Sequence, residues 1–422
     1  MTEAAALLPS SARVENGELL LGDVRASALA ERFGTPLVVY CEETLRAQAR
    51  ALREAAGRRG RVFYGTKAFA NVSVLRLFRE EGVGADVASS GELAFARAAG
   101  LGGSELVVHG NNKGEELLVQ AAVERAPVVL DAPDEAALAA AAGVERVLVR
   151  LTLGVDADTH EAIATGHAGS KFGLPPDEAR SLLADARERG LDVLGLHVHV
   201  GSQLPDFTAQ AETIERLAAF AAECRDALGW EARVADLGGG FGIRHHPDDD
   251  VADAVALAAA AAESARRAFQ AGGLHEPEIW IEPGRCLVGR AGVTLYRVGA
   301  VKRLAERTWV AVDGGMSDNP RPQLYGARYT ALSAERADEV ATESVSIAGM
   351  HCESGDVLID DTVLPSPRRG DLLAVPATGA YTLAMSSNYN GVGRPAAVLV
   401  ARGEARLVRR REGIEDLLAL EA

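Results

Sequence analysis

The stretch Arg61-Val-Phe-Tyr-Gly-Thr-Lys67 begins the regular part of this 422-residue chain. Its apolar, β-favouring residues predict a buried strand that ends at a lysine, and a helix is expected to begin at Asn71. Burial at the end of an apolar strand lowers the pKa of a lysine, because desolvation disfavours the ammonium form. A neutral amine is what Schiff-base chemistry with an aldehyde requires. Lys67 is therefore a candidate catalytic residue, although a lysine that snorkels at a strand end is the commoner case.

The other three lysines have different surroundings in the sequence. Lys113 opens a polar helix, Lys171 lies in a glycine-flanked loop, and Lys302 lies beside Arg303. Lys67 alone follows an apolar strand, which singles it out for reaction with an aldehyde.

Strand and helix patterns alternate regularly from residue 61 onwards. Strands are predicted at residues 61–67, 84–89, 105–110, 126–131, 146–152, 193–201, 234–240 and 278–282. Most of the segments between them have helical periodicity, which indicates a parallel sheet with helical crossovers. Eight strands close a (β/α)8 barrel of the TIM type. A doubly wound open sheet is the alternative, but its glycine fingerprint is missing after the first strand.

The pattern changes after Arg285. Short strands separated by Gly and Pro are predicted at residues 293–301, 309–312, 344–348, 356–364, 371–375 and 396–408, and a helix at 412–420. This texture is typical of a separate antiparallel β domain. We therefore predict an N-terminal segment, residues 1–35, that packs with the β domain. A barrel, residues 36–285, and the C-terminal β domain, residues 286–422, follow it.

The composition is that of a soluble globular protein, with 48% hydrophobic and 25% charged residues. A net charge of −16 without a basic run argues against binding to nucleic acid or to anionic membranes. No apolar stretch reaches the ~20 residues of a membrane span, and the N-terminus lacks the positive region of a signal peptide. The four cysteines are scattered without metal-type pairing. We expect free thiols in a reducing cytoplasm and no metal site.

Two motifs follow predicted barrel strands and suit a phosphorylated, planar ligand. Asp236-Leu-Gly-Gly-Gly-Phe-Gly242 exposes backbone N–H groups that suit a phosphate, although a tight turn explains a lone triple glycine about as well. In Leu196-His-Val-His-Val-Gly-Ser-Gln203, His197 and His199 share one strand face, but no third zinc ligand follows at a typical spacing. We expect one histidine to stack on a planar ring and the other to lie in the core. Ser202 is placed to donate a hydrogen bond to a phosphate.

The motif Ile281-Glu-Pro-Gly-Arg285 ends the eighth predicted strand. A carboxylate in an otherwise apolar strand must be paired, and a protonated pyridine nitrogen is one suitable partner. Arg285 would then be available for a substrate carboxylate or a phosphate. A structural ion pair between Glu282 and Arg285 is the alternative interpretation.

Further candidates lie in the predicted β domain. In Gly349-Met-His-Cys-Glu-Ser-Gly-Asp356, the cysteine is placed to donate a proton or to act as a nucleophile, although lone cysteines are more often buried apolar residues. Tyr381 and Tyr389 lie in predicted loops from which they could reach a ligand, and packing of loop against core is about as frequent a role for such tyrosines.

Taken in order, these motifs resemble those of the fold-type III, alanine racemase-like, pyridoxal phosphate-dependent decarboxylases. The resemblance covers almost the whole chain, and the ordered set is highly specific although each piece is weak or moderate alone. The matching motifs are FYGTKAFAN (63–71), GADVASSGEL (84–93), HGNNK (109–113), RLTLGVDADTHEAIATG (150–166), SKFG (170–173), HVHVGSQ (197–203), DLGGGFG (236–242), EPGR (282–285), DNPRPQLY (318–325), HCESGD (351–356), GAY (379–381) and SSNYN (386–390).

The resemblance implies a pyridoxal phosphate-binding barrel, a β domain and an enzyme that removes CO2 from an amino acid. Lys67 would hold the cofactor as a Schiff base, His199 would stack on its ring, Glu282 would pair with its nitrogen, and Cys352 would protonate the carbanion. Asp86 and Arg150 would support the cofactor and the lysine. The other implied cofactor contacts are Ser202, Gly239, Gly240, Pro283, Gly284, Arg285 and Tyr381.

The resemblance also implies how the substrate is held. Arg285, Arg321 and Tyr325 would bind a distal carboxylate and Glu353 a distal amine, with Tyr381 nearby. Two arginines favour a substrate with an amine and a carboxylate at both ends, meso-2,6-diaminopimelate, which would give L-lysine and CO2 at the last step of lysine biosynthesis. Cys352 and Glu353 would enter the site from a partner subunit, which implies a homodimer.

Three alternatives remain open. One is a related decarboxylase that acts on lysine, ornithine, arginine or a specialised-pathway amino acid. Another is a racemase of the same cofactor class, which would usually need a second base, often a tyrosine. The third is a non-catalytic pyridoxal phosphate-binding regulator, which should have lost Lys67 or Cys352.

Overall fold

The structure of the protein is a computed structural model that describes residues 3–155 and 170–421. The chain forms two compact units. We call Gln48–Ile243 together with Val251–Cys286 the barrel unit. We call the N-terminal residues up to Ala47, together with Arg244–Asp250 and Leu287–Ala422, the β unit. Most of the motif at residues 150–166 lies outside the described residues.

The regular elements are numbered along the chain. The strands are β1 (Ala12–Glu15), β2 (Glu18–Leu21), β3 (Val24–Arg25), β4 (Leu37–Cys41), β5 (Arg61–Gly65), β6 (Gly84–Val87), β7 (Leu106–Val108), β8 (Val128–Leu130), β9 (Arg146–Leu151), β10 (Asp192–Val198), β11 (Val234–Asp236), β12 (Glu278–Ile281), β13 (Gly292–Arg303), β14 (Thr308–Val312), β15 (Leu332–Ser333), β16 (Glu343–Ala348), β17 (Val357–Leu364), β18 (Leu372–Pro376), β19 (Ala396–Ala401) and β20 (Glu404–Arg409). The α-helices are α1 (Ala26–Phe33), α2 (Glu42–Ala56), α3 (Val72–Glu80), α4 (Ser90–Ala98), α5 (Glu115–Glu124), α6 (Glu135–Ala141), α7 (Pro176–Glu188), α8 (Thr208–Leu228), α9 (Ala254–Ala271), α10 (Arg285–Val288), α11 (Arg321–Tyr325) and α12 (Ile414–Leu418). Short 3-10 helices lie at Glu3–Leu7, Thr66–Ala68, Gly103–Glu105, Leu383–Met385 and Tyr389–Gly391.

The barrel unit contains a closed barrel of eight parallel strands, β5 to β12, in sequence order. β12 closes the barrel by pairing with β5, where Ile281 lies opposite Val62. This confirms the predicted (β/α)8 barrel and excludes the open doubly wound sheet. Several strands end before their predicted limits, because the glycine, serine and asparagine residues at their carboxyl ends turn into loops.

The barrel strands are apolar at nearly every position because both of their faces are covered. β7 and β8 are buried throughout. Inside the barrel, the Phe63 and Trp280 rings lie 4.8 Å apart within a cluster that includes Val107 and Leu148. The surrounding helices have local start signals, as predicted at Asn71, whose side-chain oxygen accepts hydrogen bonds from the first turn of α3.

The β unit contains one large mixed sheet and a small meander of β1, β2 and β3. The large sheet runs in the order β17-β16-β14-β13-β4-β19-β20, and β18 pairs with both β13 and β15. Most pairs are antiparallel, as predicted, but β14 pairs with β16 and β4 with β19 in parallel. The segment predicted as one strand at 396–408 is a hairpin, because Arg402 and Gly403 both adopt positive φ in its two-residue turn.

The N-terminal part of the chain is built into the β unit. β4 falls within residues 36–285, which we predicted to form the barrel domain, but it lies between β13 and β19. Leu19, Leu29 and Leu37 share one hydrophobic core with Val293 and Val398. The β unit therefore extends to Ala47 rather than stopping at residue 35, because β4 completes its hydrogen bonds with strands from the distant C-terminal half.

Within the described ranges, no helix combines the length and the apolar character needed to cross a membrane.

Candidate active site

The candidate residues of the barrel unit gather where its parallel strands end. Lys67 follows β5, Asp86 lies in β6, Arg150 lies in β9, His199 follows β10 and Glu282 follows β12. Active sites of (β/α)8 barrels lie at this carboxyl edge. The fold thus brings together residues that are up to 215 positions apart in the sequence, from Lys67 to Glu282.

Glu282 is held by two histidines. Its side chain is 7% exposed, with His109 Nε2 2.5 Å from Oε1 and His197 Nε2 3.2 Å from Oε2. Burial by itself raises the pKa of this carboxyl, but the charge of His109 and the hydrogen bonds from both histidines outweigh burial and hold the pKa well below its ordinary value. The carboxylate is paired, as expected, but by imidazoles that we did not predict. The histidine of the HGNNK motif was the available signal for His109.

The two histidines of the HVHV motif have different surroundings, and the burial of His197 agrees with the expectation that one of them lies in the core. His197 is buried and points at Glu282. His199 Nδ1 accepts a hydrogen bond of 3.1 Å from Gly239 N, which leaves Nε2 as the protonated nitrogen of the neutral ring. Burial, followed by the charge of Lys67, lowers the pKa of His199 well below its ordinary value. The two rings do not form a zinc pair with each other.

Four side chains nevertheless come together with the composition of a metal site. Donor atoms of His109, His197, Asp236 and Glu282 all lie within 4.8 Å of one another. Both imidazoles are already engaged with the Glu282 carboxylate, and burial, reinforced by Glu282, raises the pKa of Asp236 well above its ordinary value. With both imidazoles bonded to Glu282 and the charged form of Asp236 disfavoured, these side chains form a hydrogen-bonded cluster around one carboxylate.

The triple glycine lies where the ends of β10, β11 and β12 converge. A Cβ atom at Gly238 would lie 2.6 Å from Val198 O, one at Gly240 would lie 2.5 Å from Gly201 O, and one at Gly239 would overlap Glu282 O. Gly238 N donates to Asp236 Oδ1 and Gly239 N to His199 Nδ1. Among the described residues, the N–H of Gly240 donates to no backbone acceptor, and it remains the donor best placed for a phosphate. Gly239 acts here through its lack of a side chain.

The EPGR segment lies against the end of the first barrel strand. Gly65 N donates a 3.1 Å hydrogen bond to Pro283 O, and a Cβ atom at Gly65 would lie 3.5 Å from Gly284 Cα. Glu282 N donates to Gly238 O at 2.7 Å. The backbone of the EPGR segment is therefore fixed between the first barrel strand and the glycine loop. Ser202 lies in the bend after β10 and is half-buried.

Lys67 and Lys113 have the opposite of the environments that we predicted: Lys67 is exposed and Lys113 is buried. Lys67 is exposed in a 3-10 turn between buried Thr66 and Ala68, because β5 ends at Gly65 and the lysine lies beyond the packed strand. Its charge opposes the burial that raises the pKa of Asp86 and adds to the burial that lowers the pKa of His199. Lys113 is instead the buried lysine, with Nζ 2.9 Å from Glu135 Oε2. Pairing with that carboxylate gives Lys113 a structural role.

Arg150 forms the side of this cluster that faces the SKFG motif. It is buried, its Nη1 lies 3.9 Å from Asp131 Oδ2, and its guanidinium lies 4.6 Å from the Phe172 ring centroid. Burial lowers the pKa of Arg150. Burial also raises the pKa of Asp86 to about 6, against the opposing charge of His109. The buried carboxyl groups of this part of the site therefore lie close to buried cationic side chains.

In the β unit, Arg321 is a buried cation without an acidic partner. Only 6% of the residue is exposed. Its Nη1 donates to the Tyr329 hydroxyl, and its guanidinium lies 5.6 Å from the Tyr329 ring centroid. Its Nε has no hydrogen-bond acceptor, and no carboxylate forms an ion pair with it, among the described residues. Because a buried charge is costly unless it is paired, Arg321 has the properties of an anion-binding residue. Tyr325, four positions later, is half-buried.

Cys352 and Glu353 are exposed on the loop between β16 and β17, whereas the other three cysteines are buried. Asn390 Oδ1 accepts hydrogen bonds from Cys352 N at 3.3 Å and from His351 Nδ1 at 3.2 Å. Asp356 accepts a hydrogen bond from His351 N. The cysteine therefore lies on an anchored loop with its side chain open to solvent.

Tyr381 has an uncommon backbone conformation. Its φ is +58°, which is unfavourable for a bulky residue and recurs at ligand-binding positions. It is half-buried, whereas Tyr389 is 41% exposed and packs 5.4 Å from the His351 ring. Tyr381 is therefore the stronger ligand-binding candidate, and Tyr389 has a packing role.

The chain is similar to known proteins over almost its whole length. Residues 42–289 match the family model "Pyridoxal-dependent decarboxylase, pyridoxal binding domain", so the class is that of pyridoxal-dependent decarboxylases. The chain is 43% identical to the diaminopimelate decarboxylase of Bacillus subtilis, over 98% of this chain and 97% of that protein. It is 46% identical to that of Actinosynnema pretiosum, over 98% and 95%. The chain therefore belongs to the diaminopimelate decarboxylase family.

A solved structure supports the same conclusion. The diaminopimelate decarboxylase of M. jannaschii in complex with L-lysine matches this chain with a TM-score of 0.90 and 32% identity, over 98% of each chain. The resemblance that the ordered motifs implied is confirmed.

The barrel residues fit pyridoxal phosphate as the cofactor. Glu282 is a buried carboxylate held in its ionised form, as a pyridinium nitrogen requires. The glycine loop has no room for side chains and leaves the N–H of Gly240 for a phosphate. Lys67 supplies an amine, and His199 a neutral ring fixed by Gly239.

Proposed function

We propose that this chain decarboxylates meso-2,6-diaminopimelate to L-lysine and CO2, the last step of lysine biosynthesis. The names of its relatives and the lysine bound to the M. jannaschii protein support this proposal. The observation that carries it is Arg321, a buried guanidinium without an acidic partner among the described residues. Ornithine and lysine have no carboxylate at the end distant from the reacting carbon, so their decarboxylases need no such cation.

Bound pyridoxal phosphate supplies an electron sink that accepts the electron pair left when CO2 departs. The ionised carboxylate of Glu282 holds the ring nitrogen in its protonated form. His199 supports the face of the ring, and Lys67 anchors the cofactor through its amine. Ser202, Gly240, Tyr381 and the backbone of residues 282–285 hold the phosphate, while Gly239 leaves room for it. Asp86 and Arg150 keep the surrounding charge balanced.

The substrate is oriented by its far end. Arg321 and Arg285 bind the distal carboxylate together with the Tyr325 hydroxyl, and Glu353 binds the distal amine. Binding energy gained at this end places the scissile carboxylate near the cofactor and away from charged groups. A substrate without the distal carboxylate leaves Arg321 buried and unpaired.

Cys352 returns a proton to the α-carbon. After CO2 has left, the electron pair of the broken bond forms the new C–H bond as the thiol donates its proton to the α-carbon and becomes a thiolate. The exposure of Cys352 and Glu353 in their own chain supports a second part of the proposal, that they complete the site of a partner subunit in a homodimer. A biosynthetic role of this kind places the enzyme in the cytoplasm.

The test is a substrate panel scored for CO2 release. We expect release from meso-diaminopimelate at a kcat/KM at least a hundredfold above that for lysine, ornithine and arginine. Comparable release from lysine or ornithine would contradict the assignment, and α-hydrogen exchange without CO2 release would favour a racemase. Borohydride should bleach the visible cofactor absorbance irreversibly in the wild type and leave no covalent cofactor in Lys67→Ala. A regulator that only binds the cofactor would release no CO2 from any member of the panel.

A further inference from the structure

His109 is the histidine of the HGNNK motif, and the proposed chemistry gives it no role so far. It follows β7 on the carboxyl edge of the barrel, where its backbone N–H donates to Val87 O at 2.8 Å. It is buried, with 7% of the residue exposed. Its position is therefore set by the barrel itself and not by a loose loop.

The imidazole of His109 makes the shortest contact of the Glu282 carboxylate. The two carboxylate oxygens are divided between two donors, His109 Nε2 at 2.5 Å and His197 Nε2 at 3.2 Å. The two histidine rings meet edge to face, with centroids 4.9 Å apart. Because one imidazole holds each oxygen, the plane of the carboxylate cannot rotate without breaking a hydrogen bond.

The groups around this carboxylate shift the pKa values of the two histidines in opposite directions. The titratable groups that interact with it are the acids Asp86 and Asp236 and the bases His109, His197, His199 and Arg150, and Lys67 acts on Asp86 and His199. Burial lowers the pKa of His197 to about 3, so this ring is a neutral donor. Burial also opposes the charged form of His109, but the charges of Glu282 and Asp86 outweigh burial and raise its pKa above the ordinary value. His109 is thus the imidazole that carries a countercharge.

We propose that His109 is a positioning residue of the decarboxylase site, which fixes the Glu282 carboxylate and keeps it ionised toward the cofactor's ring nitrogen. The proposal deepens the proposed function and depends on the assignment of Glu282 as the partner of that nitrogen. Without this countercharge, the buried Glu282 carboxylate would lose the cation nearest to it, and its protonated form would be favoured. A neutral carboxyl would no longer keep the ring nitrogen protonated, and the electron sink would weaken.

Three variants test the proposal. His109→Gln keeps an N–H donor near the position of Nε2 but removes the charge, and His109→Leu removes both. His197→Gln replaces the neutral donor by another neutral donor and is the matched control within the cluster. His275→Leu, at a side chain that is 91% exposed, is the surface control.

The main measurement is the 15N NMR shift of the ring nitrogen in pyridoxal phosphate bound to each holoenzyme. The second is the affinity of each apoenzyme for pyridoxal phosphate. We expect the signal of a protonated nitrogen in the wild type and both controls, and a shift toward the unprotonated value in His109→Leu, with His109→Gln between them. Affinity for the cofactor should fall about tenfold or more in His109→Leu, since a hydrogen bond to a buried charge is lost. kcat should fall while KM stays within a few fold.

A structural role alone would lower the melting temperature of His109→Leu without moving the nitrogen signal. That result, or cofactor affinity within twofold of the wild type, would overturn the proposal. Should His109→Leu fail to fold, the same two measurements are made on Glu282→Gln alone and on the double variant that also carries His109→Gln. The proposal predicts no further change there, and an additive effect contradicts it.

The outcome is separable from that of the proposed function. A wild-type protein with a protonated ring nitrogen but no CO2 release from diaminopimelate would refute the substrate and leave the role of His109 to be judged by its variants. A wild-type protein that binds no pyridoxal phosphate, or binds it with an unprotonated nitrogen, would refute the role of His109 as well.

Discussion

Single residues in this protein gain their chemistry from partners that are distant in the sequence. Arg321 shows this most clearly, since the structure buries its guanidinium against the Tyr329 ring rather than against an acid. Such an arrangement costs stability in the free protein and is repaid when an anion binds. The loss of stability and the gain in substrate binding can be measured separately on one variant of Arg321.

We expect Arg321→Leu to raise KM for diaminopimelate about ten- to hundredfold, the usual cost of losing a hydrogen-bonded charge pair. It should change KM for lysine far less. The free energy of unfolding without substrate should stay the same or increase, because an unpaired buried charge has been removed. Steady-state kinetics and urea unfolding check the two parts. Equal effects on diaminopimelate and lysine would count against the distal-carboxylate role.

Asp318 is a second residue whose titration is set by burial. Burial raises its pKa to about 7, although the Tyr296 hydroxyl and Gly315 N both bond to it and oppose this shift. Since the folded state holds this proton more tightly than the unfolded chain, the stabilisation is complete below the unfolded pKa of 3.8 and is lost as the pH rises through 7.

We therefore expect the free energy of unfolding of the wild type to fall relative to that of Asp318→Asn between about pH 4 and pH 7. The fall should not exceed about 1.4 kcal/mol per pH unit. Above about pH 7 the difference should level off, because both states of the wild type are then ionised. Urea unfolding of the two proteins at matched pH values measures it, and a difference that is independent of pH would refute the shift.

At the scale of elements, the glycine loop after β11 joins the ends of three strands. Its backbone contacts β10 and the segments after β10 and β12, so its three glycines are required by close backbone packing. This packing is compatible with the phosphate site that we propose for the loop. Packing of this kind tolerates no added side chain, because the contacts are with backbone atoms that belong to other strands.

We expect Gly239→Ala to reduce cofactor affinity at least tenfold, because its Cβ would overlap Glu282 O and displace the carboxylate that holds the ring nitrogen. Gly114→Ala is the matched control, since nothing lies within 4 Å of its Cβ and its φ is −72°. Titration of both apoenzymes with pyridoxal phosphate makes the comparison. If Gly239→Ala bound the cofactor with wild-type affinity, the loop could accommodate the added Cβ atom and the prediction would be wrong.

For the whole molecule, the site residues fall into two groups. The cofactor group belongs to the barrel unit, whereas Arg321, Tyr325, Cys352, Glu353 and Tyr381 belong to the β unit. Cys352 and Glu353 are exposed in their own chain, which is the property expected of residues that serve a partner subunit. A homodimer with shared sites therefore stays a prediction for solution experiments.

We expect that mixing Lys67→Ala with Cys352→Ala, each inactive alone, restores activity after subunit exchange. In a random mixture, mixed dimers contain one site with both native residues, which gives about a quarter of the wild-type activity. Assays before and after exchange under mild denaturant measure this recovery. No recovery, with exchange demonstrated by differently tagged subunits, would mean that both residues act within one chain.

The sequence by itself determined the eight barrel strands, their helices, the change of texture after Arg285 and the ordered motifs. These features depend on hydrophobic period, caps and turn residues, which act over a few neighbouring positions. The same local signals placed Lys67, His199 and Glu282 at strand ends, and the barrel then brought them to one edge.

Only the tertiary structure decided which partner each of those residues meets. It moved β4 into the β unit, buried Lys113 instead of Lys67 and placed His109 against Glu282. Each of these outcomes depends on contacts between segments far apart in the chain, where burial and the charges of neighbours set the energies. A pattern read along the sequence contains the residue types of such contacts but not the distances between them.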